Sequence, residues 1–242
     1  MAEQTGAPDF DELYRDNRPV STPWDIGAPQ PVIEQLVAYG ALRGDVLDPG
    51  TGPGHHAIYY ASKGYSVTGI DVSAAAIDRA RDNAETAGVT VDFQVADATA
   101  LDGFTGRFDT VVDCAFYHVF ADDEQLRSGY LRALHRATRP GARLFMFEFG
   151  VHNVNGWIWN GLSADHFRQA LPDAGWRIDY LGPTTYQATF TAETFARMAQ
   201  AQDQADWRKR LAGVHDRFDV IEPLLDHHRV HLPFWMVHAT RV

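Results

Sequence analysis

The stretch Val46–Gly54 constrains the fold of this chain more than any other part of its sequence. It reads V-L-D-P-G-T-G-P-G, so two apolar residues reach an acid and glycines then alternate with other residues, before His55–Ala61 continues as a predicted helix. Strand, glycine-rich turn and helix in this order form a site for a nucleotide-like ligand at the carboxyl end of a parallel strand. The glycines let the backbone turn sharply and let a ligand approach where a Cβ would collide.

The spacing of these glycines discriminates between ligands. A dinucleotide fingerprint, G-x-G-x-x-G, that began at Gly50 would require a glycine where His55 stands. The pattern present is D-x-G-x-G-x-G, and here the sequence resembles the class I S-adenosylmethionine-dependent methyltransferases, in which this loop packs against the methionine part and the ribose of the cofactor. A glycine-rich turn without a ligand is the alternative. The loop residues that the resemblance assigns to the cofactor are Asp48, Gly50, Thr51, Gly52 and Gly54.

Further acids follow the next predicted strands. Asp71 ends a strand predicted over residues 65–71, where a carboxylate can accept hydrogen bonds from both ribose hydroxyls, as acids do in NAD proteins as well. Asp97 follows a strand predicted over residues 89–95, and the resemblance implies that it faces the adenine amino group; a solvated loop aspartate is the alternative. The other residues assigned to the cofactor are Val72, Ala98, Asp113 and Trp24.

The first 31 residues do not look like the start of a doubly wound domain, because prolines interrupt regular structure there. The run T-P-W-D-I-G-A-P-Q-P from Thr22 resembles the leader of a subgroup that contains thiol and halide methyltransferases, thiopurine methyltransferase relatives and enzymes that methylate heterocyclic toxins. The resemblance implies that residues 1–31 form a lid, in which Trp24 contacts the cofactor and Tyr14 the acceptor side. A core anchor is the equally supported alternative for Trp24.

Residues 32–242 then alternate strand and helix patterns, which predicts an α/β fold with a doubly wound, seven-stranded, mostly parallel Rossmann-like sheet. An amphipathic pattern from Thr191 to about Asp226 predicts a helical insertion over residues 192–228, packed on the domain or forming a homodimer interface. The sixth strand is predicted over residues 176–181 and the last one over residues 231–241.

Charge and cysteine content restrict the partners. The formal net charge of −11 disfavours nucleic acid and anionic membranes, since an acidic surface repels both. Cys114 is the single cysteine, so no disulfide can form within the chain. Neither a signal-peptide pattern nor an apolar run of about 20 residues is present, which predicts a cytoplasmic protein.

His118 is the predicted catalytic residue. It follows the fourth predicted strand, beside the first, where this topology places the acceptor, and an imidazole titrates near neutrality as a general base requires. Tyr117 and Asp113 are weaker candidates for this role, and packing in the wall is the alternative for His118. Phe116, Trp157 and Trp159 are predicted to sandwich a flat aromatic acceptor, with ordinary core packing as the alternative.

The resemblance favours O- or N-methylation of a hydroxyquinolone, phenol or quinol in a detoxification-like role. A thiol or halide methyltransferase is the nearest rival, and a module that binds the cofactor or its demethylated product without catalysis is the rival from another class. The histidine groups His55–His56 and His227–His231 lack cysteines or an H-E-x-x-H pattern, so no metal site is predicted.

Overall fold

The computed structural model describes residues 10–15, 22–120, 123–154, 161–191, 193–194, 218, 220 and 222–242. The strands are β1 (Asp45–Pro49), β2 (Ser66–Asp71), β3 (Asp92–Val95), β4 (Phe108–Cys114), β5 (Thr138–Phe149), β6 (Trp176–Thr189) and β7 (Arg229–Arg241). The α-helices are α1 (Phe10–Arg15), α2 (Pro31–Ala38), α3 (His55–Ser62), α4 (Ala74–Ala87), α5 (Glu124–Ala137) and α6 (Ala164–Asp173). Short 3-10 helices follow β4 at Tyr117–Phe120 and precede β7 at Glu222–Leu224 and Asp226–His228.

The strands form one seven-stranded sheet in the order β3-β2-β1-β4-β5-β7-β6. The pairs from β3 to β5 are parallel, whereas β7 runs antiparallel to both β5 and β6. The prediction of a doubly wound, mostly parallel sheet is therefore confirmed. The order reverses beside β1, so the carboxyl ends of β1 and β4 border the crevice in which such sheets bind ligands.

Both faces of the sheet are covered by helices. Neighbouring residues of β1 show this, because Val46 belongs to the core cluster with α2, α3 and α4, whereas Leu47 belongs to the cluster with α5 and α6. Strands buried on both faces need apolar side chains at consecutive positions, which explains the unbroken apolar runs in the sequence. None of the helices in the described ranges is both long and apolar enough to span a bilayer.

Strand β6 extends well beyond the predicted end at residue 181. It pairs with β7 from Trp176 opposite Arg241 to Thr189 opposite Arg229, so the two strands form one long antiparallel ribbon. Pro183 lies inside β6 although it has no N–H, and an edge strand tolerates this because its outer N–H groups do not bond to another strand. The prediction of a short sixth strand was wrong for that reason.

Most of the predicted insertion over residues 192–228 lies outside the described residues. The described part is helical at residues 193–194, 218 and 220, and it continues in the 3-10 helices Glu222–Leu224 and Asp226–His228. Pro223 lacks the N–H that a continuous α-helix would use there. The helical insertion as a whole stays a prediction.

The chain ahead of α3 is attached to the domain at two places. Asp11 of α1 accepts hydrogen bonds from the Ser73 hydroxyl at 2.9 Å and from the Ala75 N–H at 3.0 Å, where α4 begins. The buried amide of Gln30 exchanges two 2.8 Å hydrogen bonds with the backbone N–H and C=O of Gln187 on β6. These contacts place α1 and residues 22–30 beside the crevice.

Replacing each of two glycines by alanine should change the stability of the protein in opposite directions. At Gly69, in β2, an added Cβ would lie 2.7 Å from the Phe93 ring and 2.9 Å from the Thr51 hydroxyl, so we expect Gly69→Ala to destabilise by about 1–3 kcal/mol. At Gly129, in α5, nothing lies within 4 Å, so Gly129→Ala should stabilise by about 0.5–1 kcal/mol. Urea unfolding measures both, and equal effects would contradict the packing described around Gly69.

Candidate active site

A cleft of about 880 Å³ opens beside the carboxyl ends of β1 and β4. This volume lies in the upper part of the range usual for small-molecule sites. Its lining comes from the glycine loop after β1, the loops after β2, β3 and β4, residues within 10–14 and 23–30, and side chains of β6 and β7.

The glycine loop has a backbone that other residues rarely adopt. Gly50, Gly52 and Gly54 have φ angles of +66°, +51° and +81°, in the left-handed region. The loop is fixed by side chains of neighbouring elements as well, because the Gly52 N–H donates to Asp71 Oδ2 at 3.0 Å and the Thr51 hydroxyl donates to Asp48 Oδ2 at 2.6 Å. Gly50, Thr51, Gly52 and Pro53 line the cleft, whereas Gly54 does not.

Asp48 lies behind this loop instead of on the cleft wall. Its side chain is buried, and the Thr51 hydroxyl is its hydrogen-bond donor on the loop. Burial raises the pKa of Asp48 to about 7. The hydrogen bond from Thr51 acts to lower this pKa, and the charge of Asp71 acts to raise it further. Asp48 therefore supports the loop from the sheet side.

The other two strand-end acids line the cleft itself. Asp71 accepts hydrogen bonds from the Gly52 N–H and, at 2.9 Å, from the Ser73 N–H, and burial raises its pKa. Asp97 accepts hydrogen bonds from the N–H of Thr99 at 2.8 Å and from its hydroxyl at 2.7 Å, so it also stabilises its own turn. Val72 and Ala98, next to these acids, line the cleft too.

Residues 10–15 and 22–30, called here the N-terminal segment, cover the loop from the outside. Tyr14 is buried, its hydroxyl accepts a 3.4 Å hydrogen bond from Trp24 Nε1, and a Cβ on Gly52 would lie 2.7 Å from that hydroxyl. Burial acts to raise the pKa of Asp25, but contacts with His55 at 3.0 Å and Arg79 at 3.2 Å bring it below its ordinary value. Both Tyr14 and Trp24 line the cleft.

His118 lies at the opposite wall, half-exposed to the cleft. Its Nδ1 is 3.0 Å from Oε2 of Glu148, a side chain with 0% exposure near the carboxyl end of β5. The other Glu148 oxygen accepts hydrogen bonds from the backbone N–H groups of Phe116 at 2.8 Å and Tyr117 at 2.7 Å. Sequence reasoning missed Glu148, although a lone acid in the apolar run L-F-M-F-E-F was a usable signal, because a charge is buried only with partners.

Two predicted site residues face the protein interior. Asp113 has 0% exposure, accepts hydrogen bonds from the Phe116 and Tyr117 N–H groups at 3.2 Å, and accepts another from the Tyr130 hydroxyl at 2.7 Å. Burial and the neighbouring charge of Glu148 raise the pKa of Asp113 well above its ordinary value. The hydroxyl of Tyr117 lies 2.9 Å from His166 Nε2, towards α6, so this side chain also turns away from the cleft.

The wall around His118 is apolar. Phe116 packs against Gly50, where a Cβ would lie 2.2 Å from its ring, and makes an edge contact with Phe120 at a centroid distance of 5.2 Å. Phe149 meets the His118 ring edge-on at 4.9 Å. Trp157 and Trp159 lie outside the described residues. The remaining apolar lining residues include Val119, Leu162, Phe190 and Leu232.

Within the described ranges, no three or more His, Cys, Asp or Glu side chains converge as metal ligands. The cleft combines a backbone loop suited to a nucleoside, acids at the adjoining strand ends, His55 and His56 after the loop, and an apolar wall that contains the imidazole of His118. Such an arrangement can hold two small molecules side by side and remove a proton from one of them.

The raised pKa of Asp48 makes stability depend on pH. The pKa of Asp48 in the folded protein, about 7, exceeds its ordinary value of 3.8. Its contribution to the free energy of unfolding is therefore fully present below pH 3.8 and is lost as the pH rises through about 7. Asn at this position does not titrate. Between about pH 5 and pH 8, the free energy of unfolding of the unsubstituted protein should therefore fall by up to ~3 kcal/mol relative to that of Asp48→Asn. Urea unfolding at both pH values measures this, and a difference that is the same at both would mean that Asp48 titrates in its ordinary range.

Comparison with known proteins agrees with this geometry. A family described as a methyltransferase domain matches residues 46–141. The 2-heptyl-1-hydroxyquinolin-4(1H)-one methyltransferase of Mycobacteroides abscessus is 38% identical over 145 residues, which are 58% of this chain and 63% of that relative, or slightly less than two thirds of its length. An uncharacterized methyltransferase of Schizosaccharomyces pombe is 43% identical over 127 residues, 52% of this chain and 86% of that protein. A probable thiol methyltransferase of Arabidopsis thaliana is 29% identical over 160 residues, 64% of this chain and 69% of that protein.

Solved structures extend the likeness over nearly the whole chain. One that concerns the conversion of a disulfide bond into a thioacetal group during echinomycin biosynthesis has a TM-score of 0.73 and 30% identity, and the match covers 96% of this chain and 91% of the other. The fold is also shared by a Burkholderia thailandensis 1,6-didemethyltoxoflavin-N1-methyltransferase with bound 1,6-didemethyltoxoflavin and S-adenosylhomocysteine. That match has a TM-score of 0.62 and 19% identity, and it covers 100% of this chain and 93% of the other. The chain belongs to the S-adenosylmethionine-dependent methyltransferases, as the loop pattern predicted.

Proposed function

We propose that this methyltransferase transfers the methyl group of S-adenosylmethionine to an oxygen or ring nitrogen of a small aromatic acceptor, such as a hydroxyquinolone, phenol or quinol. The observation that carries the proposal is the imidazole of His118, which lines an apolar pocket while Glu148 holds its Nδ1 at 3.0 Å. When bound in the cleft, S-adenosylmethionine would supply a methyl group that bonds to the acceptor atom, while the electron pair of the broken sulfur–carbon bond stays on sulfur. Nε2 of His118 would take the acceptor proton.

The cofactor would occupy the side of the cleft formed by the glycine loop, Asp71 and Asp97. Each carboxylate oxygen of Asp71 accepts one backbone hydrogen bond and has a further lone pair for a ribose hydroxyl. Positive φ angles at Gly50 and Gly52 leave the loop without Cβ atoms where the methionine part would pass. The Asp97 turn and Ala98 would border the adenine.

Positioning would supply most of the catalysis. Holding an acceptor and a donor in reactive geometry can contribute about 7–11 kcal/mol to lowering the barrier. A well-placed general base adds about 10²–10⁴-fold in rate, but only when the acceptor is protonated at the working pH. The requirement for His118 therefore depends on the acceptor.

The lining favours an uncharged acceptor. Among the described residues around the cleft there are several Asp side chains and no Lys or Arg. His56 adds no positive charge, because burial and the neighbouring His55 lower its pKa to about 4. With the net charge of −11, this disfavours nucleic acid and anionic lipid as acceptors. A homodimer through residues 192–228 and a cytoplasmic location stay predictions from sequence.

The name of the Mycobacteroides abscessus relative supports a hydroxyquinolone-like acceptor, and the Arabidopsis thaliana relative supports a thiol. Thiolates and halides carry their own negative charge and need no base. The two candidates therefore differ in what the loss of the imidazole would do.

Replacement of His118 tests the proposed reaction. With isotopically labelled S-adenosylmethionine and a panel of hydroxyquinolones, phenols, quinols, aromatic thiols and iodide, we expect label on an aromatic oxygen or nitrogen and a loss of about 100-fold or more in kcat for His118→Ala. His231→Ala is the control, because this histidine is exposed on β7 and does not line the cleft. If label appears on sulfur or iodide, and His118→Ala does not change its amount, the result would favour a thiol or halide methyltransferase. Binding of S-adenosylhomocysteine without any labelled product would favour a non-catalytic module.

Replacement of Asp71 tests the cofactor side. We expect Asp71→Asn to weaken S-adenosylhomocysteine binding at least tenfold, since hydrogen bonds to a charged acceptor contribute about 1.5–3 kcal/mol each. Asp78→Asn, on the exposed face of α4, serves as the control. Calorimetric titration measures both affinities, with thermal melting to show that the variants fold. Unchanged affinity in a folded Asp71→Asn would remove Asp71 from the ribose site.

A further inference from the structure

Both carboxylate oxygens of Glu148, on β5, contact residues 116–118 after β4. Its side chain has 0% exposure and lies on β5 between Phe147 and Phe149. Oε1 accepts the N–H groups of Phe116 and Tyr117 at 2.8 and 2.7 Å, and Oε2 lies 3.0 Å from Nδ1 of His118.

The two oxygens have different roles because their partners differ. Backbone N–H groups can only donate, so the oxygen that faces Phe116 and Tyr117 must accept. Ala115 has a φ of +60°, rare outside glycine, and this turn directs the two N–H groups back towards β5 as a small anion-binding concavity. The oxygen that faces the imidazole is therefore the one whose chemistry decides which ring nitrogen of His118 carries the proton.

The backbone donors place the negative charge on Glu148. The N–H groups of Phe116 and Tyr117 lie 2.8 and 2.7 Å from Glu148 Oε1 but 3.2 Å from Asp113 Oδ1. Burial and the charge of Glu148 raise the pKa of Asp113, and neighbouring carboxyl groups in a buried site do not both ionise. Hydrogen bonds to an ionised acceptor are shorter than neutral ones, so the shorter contacts mark Glu148 as the carboxylate.

We propose that Glu148 is a positioning residue: its carboxylate holds the proton of neutral His118 on Nδ1, so that the Nε2 lone pair faces the cleft and can take the acceptor proton. This inference rests on the proposed function. Once Nε2 takes that proton, His118 becomes a cation with the buried carboxylate of Glu148 at hydrogen-bond distance, which stabilises the ionised ring. The edge of Phe149 against the ring limits its rotation.

Glu148→Gln separates this role from a purely structural one. The amide oxygen must face the Phe116 and Tyr117 N–H groups, since an amide NH₂ there would oppose two other donors. The amide NH₂ then faces Nδ1 of His118 and donates to it. The imidazole proton moves to Nε2, and the ring loses its lone pair towards the cleft while the backbone contacts survive.

Nitrogen NMR of the isotopically labelled protein, bound to S-adenosylhomocysteine, tests the tautomer without any acceptor. The His118 signals are assigned by their absence in His118→Ala and are read at a pH where they no longer shift. We expect the proton on Nδ1 in the unsubstituted protein and on Nε2 in Glu148→Gln. A proton on Nε2 in the unsubstituted protein, or the same tautomer in both proteins, would overturn the proposal. Thermal melting and calorimetric binding of S-adenosylhomocysteine show whether the variant keeps its fold.

Kinetics distinguish this inference from the proposed function. For an acceptor that is labelled in the panel and protonated at the assay pH, kcat should fall at least tenfold in Glu148→Gln, with little change in KM. Added to His118→Ala, the same substitution should cost nothing further, because Glu148 acts through the imidazole. A full additional loss in the double variant would overturn the inference, whereas full activity of His118→Ala on every labelled acceptor would overturn the proposed base and leave the tautomer result standing.

Discussion

Three left-handed glycines at the end of β1 are the constraint on which the cleft depends. Each one touches a different wall: Gly50 meets Phe116 on the acceptor side, Gly52 meets Tyr14 of the N-terminal segment, and Gly54 lies against α4, where a Cβ would be 2.9 Å from that of Ala80. A side chain at any of the three positions would separate the loop from that wall. The loop thus fixes the space between the walls and also lines the site, so its backbone shape carries structural and binding roles together.

The sequence predicted the order of elements well, because glycine spacing and strand–helix alternation are local signals. It could not predict which way a side chain points from a strand end. Asp48 and Asp113 lie on strands whose successive side chains point to opposite faces of the sheet. Both side chains point into the protein, where Asp48 bonds to Thr51 and Asp113 bonds to Tyr130. Tyr117 and His118 are adjacent in one 3-10 helix, yet one packs towards α6 and the other lines the cleft.

Long-range pairing explains the other differences. Strand β6 continues past Pro183 because β7 pairs with it along its whole length, a contact between segments far apart in the sequence. Glu148 was overlooked because its apolar neighbours indicate only a core strand, and its purpose depends on N–H groups about 30 residues away on the β4 side. Patterns of apolar residues predict burial, whereas the partner of a buried charge depends on the assembled sheet.

Electrostatics divide the site into two halves. On the cofactor side, burial raises the pKa of Asp48 and Asp71, so keeping these carboxylates ionised is costly in the fold, and a cationic sulfonium in the cleft would lower that cost. On the side of His118, Glu148 accepts hydrogen bonds from two backbone N–H groups and lies 3.0 Å from the imidazole. The proposed neutral aromatic acceptor agrees with this half of the site, because Glu148 already has partners within the protein. Such an acceptor would become nucleophilic once His118, the proposed base, removes its proton.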